Sequence, residues 1–391
     1  MQGALQGITV LELASYLTGP YAGMLLADLG AEVIKVEERS SGDPFRGWDK
    51  EGYSSTFCSV NRNKKSVTLN LKVEEGREIL LKLAEQADVF IENFRPGVVK
   101  ELGVHYEAIR ELNAQIVYCS ISGFGQDGPY RDLPGYDTIG QAMGGLLSLI
   151  TDLENPRPLG VSLSDHITGI FACYGILAAL FARERTGRGQ KVETSLLQAT
   201  ASFVQEGAAR YFATGVVPRR ETRARTAQVY AFVAEDGLPF VVHLSSPPKF
   251  WEGITHAVGR LELKDDPKFL DREARIRHYD LLHKILAGIF ATKPRKKWLE
   301  RLRTYDVPCA PLYSLDEVFE DPQVRNLGMP VVLRHPKMGV IHLSGNPIGL
   351  SQTPVSHRLA PPTLGEHTEV VLKRLGYDDE AIRRWRQKEV I

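Results

Sequence analysis

One carboxylate stands out for where it falls. In PLGVSLSDHITGIFACYGILAAL, Asp165 sits at the mouth of a long apolar helix pattern. A helix N-terminus offers free N–H groups and the positive end of the macrodipole. Both favour the ionised carboxylate and would stabilise an oxyanion formed beside it, which suits a carboxylate nucleophile. Aspartate is also a favoured N-cap, and a plain cap accounts for the same residue. A second motif, GFGQDG (Gly123, Gly125, Gly128), matches G-x-G-x-x-G after a strand. A dinucleotide site also needs a helix starting there and an acid about 20 residues further on. Pro129 follows at once and Pro134 soon after, so a glycine turn lining some other pocket is expected. There is no Walker A loop, G-x-S-x-G elbow, H-E-x-x-H pair or evident serine or cysteine triad. The histidines are scattered singly, so no metal centre is expected.

The elements that must position these residues follow from pattern. Ile8 to Leu13 reads as a strand, Pro20 opens a helix that stops at Gly30, and AEVIKVE is the next strand. This βαβ unit implies a parallel sheet. SVTLNL (66–71), a helix over 73–87, a strand over 88–92 and a strand over 116–121 continue the alternation. Helices are expected over 138–150 and 165–184, then a strand over 190–193 and a helix over 195–213. TGVVPRRETRARTA (214–227) has four arginines and no apolar periodicity, and reads as a solvated linker. Beyond it the pattern turns α+β. QVYAFVA and LPFVVHL flank Glu235-Asp236-Gly237 as a hairpin, helices follow near 248–258, 273–291 and 295–304, and 307–313 is a strand. The chain closes with strands MPVVLRH and GVIHLSG and two helices, the first ending at Gly376 and the second capped by Asp378 or Asp379.

Composition bounds the rest. The chain has 391 residues, 48 Lys+Arg against 48 Asp+Glu, and 43% apolar residues. Disorder and a nucleic-acid partner are both excluded on these grounds. At roughly 150 residues per domain, two to three domains are expected. Cys58, Cys119, Cys173 and Cys309 lie far apart without a CxxC, which fits idle thiols in a reducing cytosol. The start lacks a basic secretory n-region. The run Ile167 to Ala182, roughly 16 residues, is short for a membrane span and reads as a buried core helix. A cytoplasmic protein with no membrane partner is expected.

Read together, several segments resemble the class III CoA-transferases, the formyl-CoA transferase and carnitine-type CoA-transferase family. They are LTGPYAGMLLADLGAEVIKVE, SGDPFRGW, NRNKKSVTLNLK, ADVFIENFRPG, SGFGQDGPY, GYDTIGQAMGG, TGRGQKVETSLLQA and LGEHT, in order from residue 17 to residue 368. The resemblance implies an α/β fold: a large Rossmann-like CoA-binding domain from residues 1–213 and 329–391, a linker at 214–227, and a small α+β domain at 228–328. It also implies an interlocked homodimer. Its chemistry moves CoA from an acyl-CoA to a small carboxylic acid through an aspartyl anhydride and an aspartyl-CoA thioester. No cofactor beyond CoA itself is implied. Asp165 falls on the family's nucleophile position, with Tyr136 and Asp137 beside it. Tyr16, Leu17, Thr18, Leu69, Asn93, Phe94 and Val98 match CoA-contacting positions. Arg39, Arg95 and Lys100 are candidate phosphate partners.

The chain departs from the formyl-CoA transferase pattern. Those enzymes carry Gln at the place of Leu17, Arg at Glu38 and a basic residue at Pro134, and have a tetraglycine flap where this chain reads SSPPKFWEG (245–253). The departures count against formyl-CoA and oxalate as substrates. α-Methylacyl-CoA racemases are also similar but place a His where Tyr136 stands, removing one of two acid/base groups. A non-catalytic CoA-binding scaffold is the remaining alternative.

Overall fold

Six short strands build one sheet. β1 (Thr9–Leu13), β2 (Glu32–Glu37), β3 (Lys64–Thr68), β4 (Val89–Glu92), β5 (Val117–Ser122) and β6 (Lys191–Ser195) run in the order β3-β2-β1-β4-β5-β6. Every neighbouring pair is parallel. This is the Rossmann order, and the strand sequence reverses direction between β1 and β4. The computed structural model describes residues 3–49, 54–158, 160–245 and 247–391. Met1 and Gln2 of the chain start, Leu159 of PLGVSL and Ser246 of SSPPKFWEG lie outside the described residues.

Alternate side chains on each strand face opposite sides, so each face of the sheet carries its own core. Leu11, Ile34, Val67 and Phe90 pack with Ile79, Leu80 and Leu83 of the helix Glu74–Glu85, and with Leu372 and Trp385 of the last two helices. Val10, Val33, Ile91 and Cys119 pack with Ala22 and Leu26 of the helix Thr18–Asp28, and with Ala172 and Ile176 of the helix Leu163–Thr186.

The chain divides into two compact units. The first comprises residues 1–147, 158–205 and 325–391; the second comprises 148–157 and 206–324. In the second unit, β7 (Val229–Val233), β8 (Pro239–His243) and β9 (Cys309–Pro311) form an antiparallel sheet in that order. Its core gathers Tyr230, Phe240, Trp251, Phe290 and Trp298. β10 (Pro330–His335) and β11 (Gly339–Ser344) pair antiparallel in the first unit.

Several expected elements differ. The helix over 138–150 is two helices, Asp137–Met143 and Leu146–Ile150, because Gly144-Gly145 interrupts it and Gly145 takes a φ of +82°. The helix over 195–213 is broken at Val204 into Leu196–Phe203 and Gln205–Thr214. The stretch read as linker contains the helix Thr222–Ala227. Arg225 within it is held by Glu221 and Asp280, so one of its four arginines is an internal cross-link. The apolar run of the helix Leu163–Thr186 is buried on one face only. Ile170, Tyr174 and Phe181 on the other are exposed, although the helix is long and apolar enough to cross a membrane.

Candidate active site

The first strand ends at Leu13, and the chain crosses the sheet's C-terminal edge before the helix Thr18–Asp28 begins. Open parallel sheets bind ligands at this edge, where strand order reverses. Asn93, just past β4, staples the crossing in place. Its Oδ1 accepts from the Ser15 N–H (3.0 Å), and its Nδ2 donates to the Ser15 carbonyl (2.7 Å) and Thr18 Oγ1 (3.1 Å).

Beneath this loop lies a closed set of charges. Glu12, Glu37 and Asp43 face Lys35, Arg46 and Lys64, and all six are buried. Glu12 and Lys35 are cross-strand neighbours on β1 and β2. Lys35 Nζ is 3.0 Å from Glu12 Oε1 and 2.8 Å from Asp43 Oδ2, and donates to the Ala14 carbonyl at 2.7 Å. Lys64 Nζ reaches Glu12 Oε2 at 2.8 Å, and Arg46 Nε reaches Glu37 Oε2 at 2.7 Å. Burial alone would lower the Lys35 pKa, but the charges of Asp43, Glu12 and Glu37 outweigh it and hold it above its usual value. Burial dominates at Lys64, lowering it to about 8. Gly23 is needed here: a Cβ would come within 1.9 Å of Glu12 Oε2.

The charge cluster positions the loop through Asp43. Its Oδ1 accepts from the Tyr16 N–H (3.2 Å) and the Phe45 N–H (2.9 Å). Tyr16 takes a φ of +64°, the left-handed region that L-residues avoid. The turn sends consecutive side chains to different places. Leu17, 6% exposed, enters a small core with Phe45, Phe57 and Val60. Tyr16, 36% exposed, stands edge-on to Phe45 (centroids 5.5 Å apart) and to Tyr136 (6.2 Å). Leu17 was expected to contact CoA; its side chain packs in this core. Thr18 is buried as well.

Tyr136 leads into the helix Asp137–Met143. Asp137 Oδ1 accepts from the Asp165 N–H (3.1 Å), and its Oδ2 accepts from Gln141 Nε2. Asp137 therefore supplies the cap that Asp165 was expected to supply. Asp165 is the third residue of its helix, which starts at Leu163, and the preceding Ser162 makes no side-chain cap. Among the described residues, no cation or N–H donor meets the Asp165 carboxylate. Burial first, and the negative charge of Asp137 second, push its pKa up to about 7. The helix terminus was expected to keep it firmly ionised; desolvation and the like charge prevail. One turn on, Gly169 lies against the first loop: a Cβ there would come within 2.9 Å of the Thr18 carbonyl oxygen. Asp165, Tyr136 and the first loop thus converge on one place.

A cavity of about 530 Å³ opens against the start of the first loop, at Ala14 and Ser15. Leu69, Phe94 and Arg39 line it together with Ser15, Asn70 and Lys72. Arg39 also pairs with the exposed Glu389 at 2.9 Å. Val98 is half-buried in the short helix Val98–Glu101, outside this lining. Arg95 and Lys100 are exposed, with no ion pair among the described residues. Glu38 also lines the cavity, where Ser40 and Ser41 donate to it and lower its pKa to about 2. The motif reading missed Lys72, a cation just beyond β3, and Glu92. Glu92 Oε2 accepts from the Phe94 N–H at 2.9 Å, and burial raises its pKa to about 7. A lone acid at the end of an apolar strand was the available signal.

The glycine motif forms a turn and not a cradle. Gly125 and Gly128 have φ of +106° and +84°, no helix starts before Asp137, and the turn lines a separate cavity of about 330 Å³. His166 turns away from the carboxylate, its Nδ1 2.7 Å from the Ser162 carbonyl. Among the described residues, no group of three or more His, Cys, Asp or Glu could hold a metal ion.

A Rossmann-ordered sheet, with a carboxylate that no described residue pairs set beside its first loop, defines an α/β protein. The chain belongs to CoA-transferase family III, whose model matches residues 5–368. It is 38% identical to succinyl-CoA:glutarate CoA-transferase of Mus musculus, covering 97% of this chain and 88% of that one. It is equally 38% identical to formyl-CoA:oxalate CoA-transferase of Streptomyces avermitilis, over 100% of both chains. Among solved structures, a CAIB/BAIF family protein from Brucella suis has a TM-score of 0.86 at 33% identity, covering 96% of this chain and 100% of that one. The protein is therefore a CoA-transferase, acting on an acyl-CoA and a carboxylic acid.

Proposed function

We propose that the enzyme transfers CoA by covalent catalysis at Asp165. The ionised carboxyl attacks the acyl-CoA thioester carbonyl; the C–S bond breaks, leaving an aspartyl–acyl anhydride and CoA thiolate. The thiolate attacks the aspartyl carbonyl, releases the donor acid as carboxylate and leaves an aspartyl-CoA thioester. The acceptor carboxylate attacks that thioester, and the returning thiolate takes the acceptor acyl group and frees Asp165. Charge and atoms balance at every step without a metal or redox cofactor. A carboxylate is a weak nucleophile, and holding it against the thioester supplies reactivity through effective concentration. The observation that carries this reading is the unpaired Asp165 carboxyl, lifted towards neutrality and anchored by its own backbone to Asp137. A desolvated carboxylate with no cation on it loses little by attacking.

We place part of the CoA carrier in the 530 Å³ cavity, with Leu69 and Phe94 along its apolar stretch. Lys72 and Arg39, which line the cavity, and the exposed Arg95 and Lys100 are the cations we assign to its phosphates. Asn93 and Thr18 act by holding the first loop, and Tyr136 and Asp137 by ordering the acyl end. Succinyl-CoA as donor, with a small dicarboxylic or hydroxy acid as acceptor, is the substrate class we favour, as the names of several relatives suggest. The two relatives at 38% identity act on different acids, so identity alone does not choose between them. We further propose the interlocked homodimer, which the exposed apolar face of the helix Leu163–Thr186 supports.

The test is trapping. Enzyme mixed with succinyl-CoA and quenched with hydroxylamine should carry a hydroxamate on Asp165, read by peptide mass spectrometry. An unmodified Asp165 under turnover conditions removes the mechanism.

A further inference from the structure

Tyr16 is held at a cost. A left-handed backbone at a non-glycine residue is strained and persists only where the surroundings over-determine it. Here they do: Asp43 accepts the Tyr16 N–H, Lys35 fixes Asp43, and Asn93 clamps the residue before it. Glycine would meet the same turn without the penalty. The strain has one visible product. It turns Leu17 into the core and leaves the Tyr16 ring standing between Phe45 and Tyr136, on the side where Asp137 caps the helix of Asp165. Tyr136 is 61% exposed and its hydroxyl lies against that of Tyr16. Burial, then this neighbour, hold the Tyr16 pKa above its usual value, so it remains an O–H donor.

We propose that Tyr16 is a specificity-determining residue, presenting a phenol donor, paired with that of Tyr136, to the acyl group carried on Asp165. The hydroxyls recognise an oxygen function beyond the transferring carboxyl. An acid with a second carboxylate or a hydroxyl pairs with them; a plain alkyl acid of equal length leaves them unpaired. A site built to hydrogen-bond a substrate oxygen rejects the analogue that lacks it far more strongly than an apolar pocket rejects a methylene. The inference rests on Asp165 as nucleophile, and its test separates the two.

The full-length enzyme is assayed with acetyl-CoA as donor and succinate or butyrate, both four-carbon acids, as acceptors. Wild type should favour succinate in kcat/KM, and Tyr16→Phe should lower that preference at least about 10-fold. Hydroxylamine trapping with acetyl-CoA should still label Asp165 in Tyr16→Phe, whatever its rate. Tyr16→Gly should lose the preference too while melting no lower than wild type, because it sheds the backbone penalty along with the ring. An unaltered succinate-to-butyrate ratio in Tyr16→Phe, with trapping intact, overturns the assignment, as does a wild type indifferent between the acids. Absence of an adduct on wild-type Asp165 overturns the nucleophile reading, and this one with it.

Discussion

Asp165 meets two opposed demands. In the proposed mechanism the attacking species is the Asp165 carboxylate, and its pKa is pushed up to about 7 by burial and by Asp137. kcat should therefore climb as pH rises through about 7 and level off above it. Asp137→Asn keeps an oxygen for the Asp165 N–H but removes the charge. The inflection in the kcat–pH profile should move down, yet stay above the ordinary carboxylate value of about 3.9, because burial is the larger cause. The same shift acts on stability. The unfolded chain ionises near 3.9 and the native one near 7, so native stability is lost as pH rises between them and the loss is complete above 7. Asp165→Asn should abolish transfer yet raise Tm at pH 8 by about 2 °C, the gain fading towards pH 4; calorimetry at the two pH values checks it. The position of Asp165 was legible through motif resemblance, but its electrostatics were not. The helix pattern shows a positive terminus, while Asp137 and the desolvating walls come from distant sequence. Leu17 shows the same limit. Neighbouring residues in a loop share a motif, and only the left-handed turn at Tyr16 decides which one faces the pocket.

At the scale of elements, a parallel sheet was readable from the alternation of strand and helix patterns, whereas its Rossmann-like character came with the resemblance and its strand order only with the structure. Glu12, Lys35 and Glu37 were not readable as a network. Charges inside strands read as solvent-facing unless the register that pairs them is known, and β1 and β2 supply that register only once folded. Helix breaks at Gly144-Gly145 and Val204 were missed because apolar periodicity runs on through them. The contact between the first loop and the helix Leu163–Thr186 sets the site, and Gly169 sets that contact. Gly169→Val would drive a side chain into the Thr18 carbonyl and the Tyr21 ring, each 2.9 Å from the added Cβ. The helix must shift, and a misplacement near 1 Å costs about 100-fold in rate. We expect kcat to fall by that order while KM for acyl-CoA changes little, because the cavity at Leu69 and Phe94 does not include this helix. Steady-state kinetics separates the two parameters.

At the scale of the molecule, the α+β character of the later region was legible, and the exact points where the chain passes between units were not. Residues 148–157 belong with the second unit although they directly precede the segment that carries Asp165. Light scattering should give twice the monomer mass, with no dissociation on dilution, if two chains interlock. Replacing Ile170, Tyr174 and Phe181 together by polar residues should yield a soluble monomer or aggregate in place of the dimer. The core beneath the first three strands is closed by residues from the far end of the chain. Thr68 bonds to Thr368, 300 positions away, and Val371, Leu372, Trp385 and Ile391 pack on Leu11, Val67 and Phe90. A ribosome delivers about 5–20 residues per second, so those strands wait about 15–60 s for their partners. During that interval the newborn sheet is open on one side, and the wall beside Leu69 is among the last parts of the enzyme to exist. Synthesis order therefore leaves those strands without their covering layer until the last residues arrive.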